Sequence, residues 1–154
     1  MRKLPYLLLA MLFLGGPEAA RACSWYPPPS DEDLFAKASA VFVARIVGAE
    51  EVEVQYPAPR WGPSVRGPAV EATFRLIEVL KGQPPADGKV RGPPPFVCVR
   101  PLAVGLDYVI FLNAADNFIV WAADKGTRPL FEDRLCEYKD CVLGKMRGLS
   151  RKSQ

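Results

Sequence analysis

Two long runs of β-type sequence, separated by a stretch rich in proline and glycine, constrain this chain more than any other feature. The first is Ala40 to Tyr56. Val41-Phe42-Val43-Ala44-Arg45-Ile46-Val47 is crowded with β-branched residues, and Glu51-Val52-Glu53-Val54-Gln55 alternates with period two. One long strand is expected there, bent near Gly48. The second run starts at Val70, with Val70, Ala72, Phe74 and Leu76 on one face and Glu71, Thr73 and Arg75 on the other. It continues to Leu80 and stops at Lys81-Gly82. Between them, residues 57 to 68 hold four prolines and two glycines, which predicts loop with no strand running through it.

The rest of the chain offers short elements. Ser30 reads as the N-cap of a helix carrying Asp31, Glu32 and Asp33 in its first turn, so this acidic cluster is expected to be structural rather than a cation site. A short strand begins at Lys89, and Phe96-Val97-Cys98-Val99 is an extended piece. Leu106 to Leu112 and Phe118 to Ala122 are strands joined by a polar turn. Leu130 to Met146 has helical composition. Cys136 and Cys141 lie about 140° apart around a helix, so a bond between them requires the helix to break. The expected class is mainly β, a small closed or nearly closed barrel with one or two short helices.

The first 22 residues read as an export signal. Arg2 and Lys3 precede an apolar run from Leu4 to Leu14, and Ala20-Arg21-Ala22 offers an A-x-A cleavage pattern. The run is well short of the ~20 residues needed to span a bilayer. Residues 23–154 are then one domain of a secreted, periplasmic or cell-envelope protein, with 144–154 read as a flexible basic tail. Losing the signal removes more basic than acidic residues from a chain of net charge +3, so a nucleic-acid partner is not expected. The chain has no histidine, which excludes Ser-His-Asp and Cys-His catalysis. No enzyme and no cofactor are expected. The four cysteines, Cys23, Cys98, Cys136 and Cys141, read as two disulfides with three possible connectivities.

Taken in order, several pieces resemble the netrin-like/TIMP-like family, the OB-fold domain of the tissue inhibitors of metalloproteinases and of exported bacterial relatives. They are Cys23 at the expected mature N-terminus, Phe35 to Val47 as the helix-to-strand entry, Phe74 to Gly82 ("FRLIEVLKG"), Cys98, and Gly105 to Phe111. The resemblance implies an OB-type Greek-key barrel and a mechanism. Cys23, bonded to Cys98, would present its free α-amine and carbonyl oxygen to the catalytic zinc of a metalloprotease. Ser24 would enter the specificity pocket, with Trp25 and Tyr26 beside it. With that bond, Cys136–Cys141 is the favoured second pairing. An α-amine titrating near ~7.7–8.0 yields the neutral ligand far more readily than a lysine. A 23–98 bridge would stabilise the fold by ~4.5 kcal/mol. The animal inhibitors carry a second cysteine two residues after the first, whereas this chain has Trp25.

Cys23 admits two other fates. A signal ending at cysteine also serves lipidation, which would tie the chain to a membrane, although Ala20 and Arg21 depart from that pattern. The alternative function is a non-inhibitory binding or scaffold module of the cell envelope, with Cys23 a structural half-cystine.

Overall fold

The computed structural model describes residues 29–56, 65–93, 102–113, 117–122, 125–130 and 141–152. Its first element is helix α1 (Asp31–Lys37), capped by Ser30 as expected. The long hairpin follows. Strands β1 (Ala40–Tyr56) and β2 (Val65–Lys81) pair antiparallel over their full length, from Val41 opposite Lys81 to Tyr56 opposite Val65. Strand β3 (Lys89–Gly92) pairs with Val70–Thr73 of β2, and β4 (Asp107–Leu112) pairs with the first half of β1. Two-residue strands β5 (Trp121–Ala122) and β6 (Lys125–Gly126) pair with each other, and β7 (Arg128–Pro129) extends the main sheet beside β4. Helix α2 (Val142–Lys152) closes the described chain.

The bend expected near Gly48 is a bulge. Ile46 lies opposite Phe74 and Gly48 opposite Thr73, so Val47 is an extra residue on β1. The loop expected over 57–68 is shorter than its composition suggests, because β2 already starts at Val65 and runs through Gly67 and Pro68. Pro68 faces Glu53 of β1, and β3 reaches only as far as Val70 on the other side. A missing N–H is tolerated where no second ladder needs it.

The expected closed barrel is not what the ladders form. They build a five-stranded antiparallel sheet in the order β3-β2-β1-β4-β7. Among the described residues, single bridges approach closure: Arg91 of β3 lies parallel to Phe118, and Leu112 of β4 antiparallel to Ile119. All four residues of β3 pair with β2. Phe118 to Ala122, expected as one strand, divides between these bridges and β5. Asn117, at φ 55°, supplies the left-handed residue of the turn before it.

Both faces of β1 are buried over Ala40–Ile46, which explains the dense apolar sequence there. Phe42, Ala44 and Ile46 join Ala72, Phe74, Val90, Tyr108, Ile110 and Ile119 on one face. Val41 and Val43 face the other way, onto Leu34, Phe35, Val109, Phe111, Leu130 and Met146. The helices form that second layer. Lys81 fastens the end of α1 by donating to the carbonyl oxygens of Phe35, Ala36 and Ala38 at 2.7–2.8 Å. This satisfies acceptors that a helix C-terminus leaves open.

The basic tail expected over 144–154 is instead largely helical. Met146 is fully buried, Arg147 forms a forked pair with Glu78 at 2.7–3.2 Å, and Ser150 donates to the Leu80 carbonyl. Burying one apolar side chain and pairing two of the cations, Lys145 and Arg147, gives the segment a reason to fold that charge counting does not register. Gly148 sits inside this helix with open space around it. Gly148→Ala is therefore expected to stabilise the protein by about 0.8 kcal/mol, read from the midpoint of urea unfolding.

The free edge of β2 is blunted. Residues 82–88 must retrace the last part of β2 before β3 begins, so they pass beside that edge. Pro84 and Pro85 lie half-buried there, and neither donates an amide proton.

Candidate functional site

Of the residues expected to act, Cys23, Ser24, Trp25, Tyr26, Cys98 and Cys136 lie outside the described residues. The described residues that flank them in sequence are the start of α1, the two ends of 94–101, and the start of α2. Cys141 lies there, half-buried and as a free thiol.

The start of α1 is the most heavily tied of the three. The Asp33 N–H donates to Ser30 Oγ at 3.0 Å, while the Ser30 hydroxyl and N–H donate back to Asp33 Oδ2 at 2.8 and 3.4 Å. This reciprocal cap satisfies two otherwise open donors and fixes the direction in which the chain meets the helix. Asp31, the next residue, is buried at 4% exposure, the one charged residue in the described core. Arg128 Nη1 and Nη2 reach its two carboxylate oxygens at 3.0 and 3.2 Å, and Lys145 Nζ approaches Oδ2 at 3.3 Å. Lys145 also pairs with Glu32 at 3.1 Å. One carboxylate thus ties α1 to β7 and to α2. Burial pushes the Asp31 carboxyl up, but the hydrogen bond and charge of Arg128, joined by Lys145, outweigh that and hold it below the ordinary range.

The described residues that flank 94–101 stand close together. A Cβ on Gly92 would lie 3.1 Å from Ile119 Cδ1 and 3.9 Å from Leu102 Cδ1, so the two ends of the segment adjoin over the inner core. Beyond it the Ala103 N–H donates to the Tyr108 hydroxyl at 2.9 Å, and the Gly105 N–H to the Ile46 carbonyl at 2.8 Å. Val47 and Val104 stand half-exposed on this rim. Below them Arg45 grips Asp107 through two bonds of 2.7 and 2.9 Å.

Reading the sequence placed the acids at the helix start but missed the cluster they belong to. Arg128 carries no local signal; it is one basic residue between Thr127 and Pro129. Lys145 reads as part of a solvated tail. Both become ligands of Asp31 only when β7 and α2 are packed against α1.

No family model matches this chain, and no curated protein matches it. Among the described residues, no group of three or more Cys, Asp or Glu side chains is placed to hold a metal ion, and no helix is long and apolar enough to cross a membrane.

Proposed function

We propose that this is an exported, OB-type, netrin/TIMP-like protein-binding domain that inhibits a zinc metalloprotease through the α-amine and carbonyl of Cys23. The observation that carries the fold reading is the pattern of bridges. The order β3-β2-β1-β4, with Phe118 bridged parallel to β3 and Ile119 antiparallel to β4, supports the OB-type reading, in which a fifth strand would run between β3 and β4. Helices α1 and α2 layered on the outer face of β1 and β4 agree with it.

The functional part follows from chemistry at two ends. The strap that begins at Cys23 enters a helix start held by a cap and a buried ion cluster. The residues on either side of the segment with Cys98, Gly92 and Leu102, lie close together. A disulfide between Cys23 and Cys98 would set a neutral amine and a carbonyl oxygen on a rigid rim, which is what bidentate ligation of a partner's zinc requires.

The test is an N-terminal extension. Exported protein starting at unmodified Cys23, verified by intact mass, is assayed against a panel of extracellular zinc proteases beside a variant with one alanine added before Cys23. The extension blocks the amine without touching the core, so inhibition is expected to fall at least a hundredfold with unchanged circular dichroism. Equal inhibition by the two proteins overturns zinc ligation. No inhibition by either favours the envelope binding module, in which Cys23 only secures the fold.

A further inference from the structure

The geometry points to the free edge of β1 beyond its bulge as a docking site for an extended segment of a partner protein, one that alternates cationic and apolar residues. In its first half β1 is flanked on both sides, by β2 and by β4, with Gly105 and Leu106 carrying the second flank as far as Ile46. After the extra residue Val47, the ladder partners of β1 among the described residues come from β2 alone.

Neighbouring ladders fix where the backbone groups of this stretch point. The Arg91 N–H donates to the Asn117 carbonyl and its own carbonyl accepts from the Ile119 N–H, so Arg91 faces away from β2. Val90 and Gly92 then face β2, opposite Ala72 and Val70. Those two residues of β2 turn away from β1, while Glu71 and Ala69 turn toward it, opposite Glu50 and Val52. By the same alternation Ala49, Glu51, Glu53 and Gln55 aim their N–H and C=O groups out of the sheet. All four are exposed, and among the described residues no hydrogen bond meets those groups. Such a row is a template for another strand. The edge of β2 is lined by Pro84 and Pro85, but residues 47–56 contain no proline.

Side chains select the occupant. Glu51 and Glu53 share one face, with no ion pair among the described residues. Glu50, on the other face, already lies 3.9 Å from Lys89 and is followed there by the partly buried Val52. In a second copy paired antiparallel about Val52, each Glu51 would face a Glu53, and like charges directly opposite one another disfavour pairing. An antiparallel partner strand with Lys or Arg opposite Glu51 and Glu53, and an apolar residue between them beside Val52, satisfies both faces and the backbone together.

The experiment uses exported protein and a short peptide alternating lysine with valine. Three comparison peptides carry glutamate in place of lysine, lysine throughout, or N-methylated lysines that cannot donate to the edge. Affinity is read by calorimetry, and amide hydrogen exchange is followed residue by residue. The lysine–valine peptide is expected to protect the amides of Ala49, Glu51, Glu53 and Gln55. Joint replacement Glu51→Lys and Glu53→Lys, both on the surface, is expected to weaken binding at least tenfold with unchanged circular dichroism. N-methylation is expected to weaken it as much, a result that does not depend on how the variant folds. Oligolysine binding as tightly, without protection of those amides, overturns strand addition in favour of plain charge attraction. Equal binding of the glutamate peptide, or no binding of the lysine–valine peptide, overturns the site. A parent dimer in sedimentation that protects the same four amides assigns the edge to a second copy and overturns the proposal as well. None of these outcomes depends on whether the protein inhibits a protease.

Discussion

Replacing Asp31 with alanine is expected to destabilise the protein by about 3 kcal/mol near neutral pH, because the change leaves two cations facing a buried gap. Arg128 is the more costly of the two, with its side chain 16% exposed; Lys145, at 37%, relaxes toward Glu32 and water. The sign of the pH dependence follows from the lowered carboxyl. A group depressed in the folded state contributes fully above its unfolded value, near ~3.9, and loses that contribution as pH falls through the folded value. The gap between parent and Asp31→Ala should therefore be widest from about pH 5 upward and should narrow below roughly pH 3.9. Urea unfolding at pH 7 and at pH 3 measures it. Glu71, lowered mainly by its hydrogen bonds to Lys89 and Arg91, and Glu78, lowered by Arg147, add acid sensitivity in the same direction in both proteins. They leave the difference intact. A gap that stays constant down to pH 2.5 would show that Asp31 stabilises the fold other than as a carboxylate.

Gly82→Ala is expected to cost a similar amount, about 3 kcal/mol, for reasons of backbone geometry. Gly82 sits at φ +62°, and a Cβ there would overlap the carbonyl oxygen of Ser39 and press on the Ala40 Cα. Neither atom can yield cheaply. Ser39 donates both its N–H, at 2.9 Å, and its hydroxyl, at 3.1 Å, to the Leu112 carbonyl, and Ala40 opens β1 in the core. Lys81, whose ammonium closes α1, is the neighbouring residue. Gly105→Ala is the control. Gly105 is also left-handed, at φ +89°, but nothing lies within 4 Å of its missing Cβ, so only the backbone penalty of about 1 kcal/mol is expected. Denaturant midpoints for the two variants should differ accordingly. If they coincide, close approach to Ser39 is not what requires glycine at 82.

The elements were legible wherever local chemistry decided them. The Ser30 cap, the length of β1, its bend at Gly48 and the stop at Lys81-Gly82 all follow from residue types within a few positions. Less legible was whatever depended on neighbours far along the chain. Pro68 argues against a strand when read alone, yet it lies in β2 because that edge carries no second ladder there. Residues 144–154 look like a solvated basic tail. They are mostly helix because Met146 finds a core, Lys145 finds Asp31 and Arg147 finds Glu78. The closed or nearly closed barrel expected from strand count gives way, among the described residues, to a five-stranded sheet with two single bridges beside it.

What the amino-acid order determined unaided was the β-rich character, the extent of β1, and the exclusion of histidine chemistry, because side-chain periodicity and residue type are local properties. Only the tertiary structure decided which charges pair. Asp31, Arg128 and Lys145 are scattered over more than a hundred positions, and Coulomb attraction depends on distance in space and on exclusion of water, neither of which sequence separation encodes.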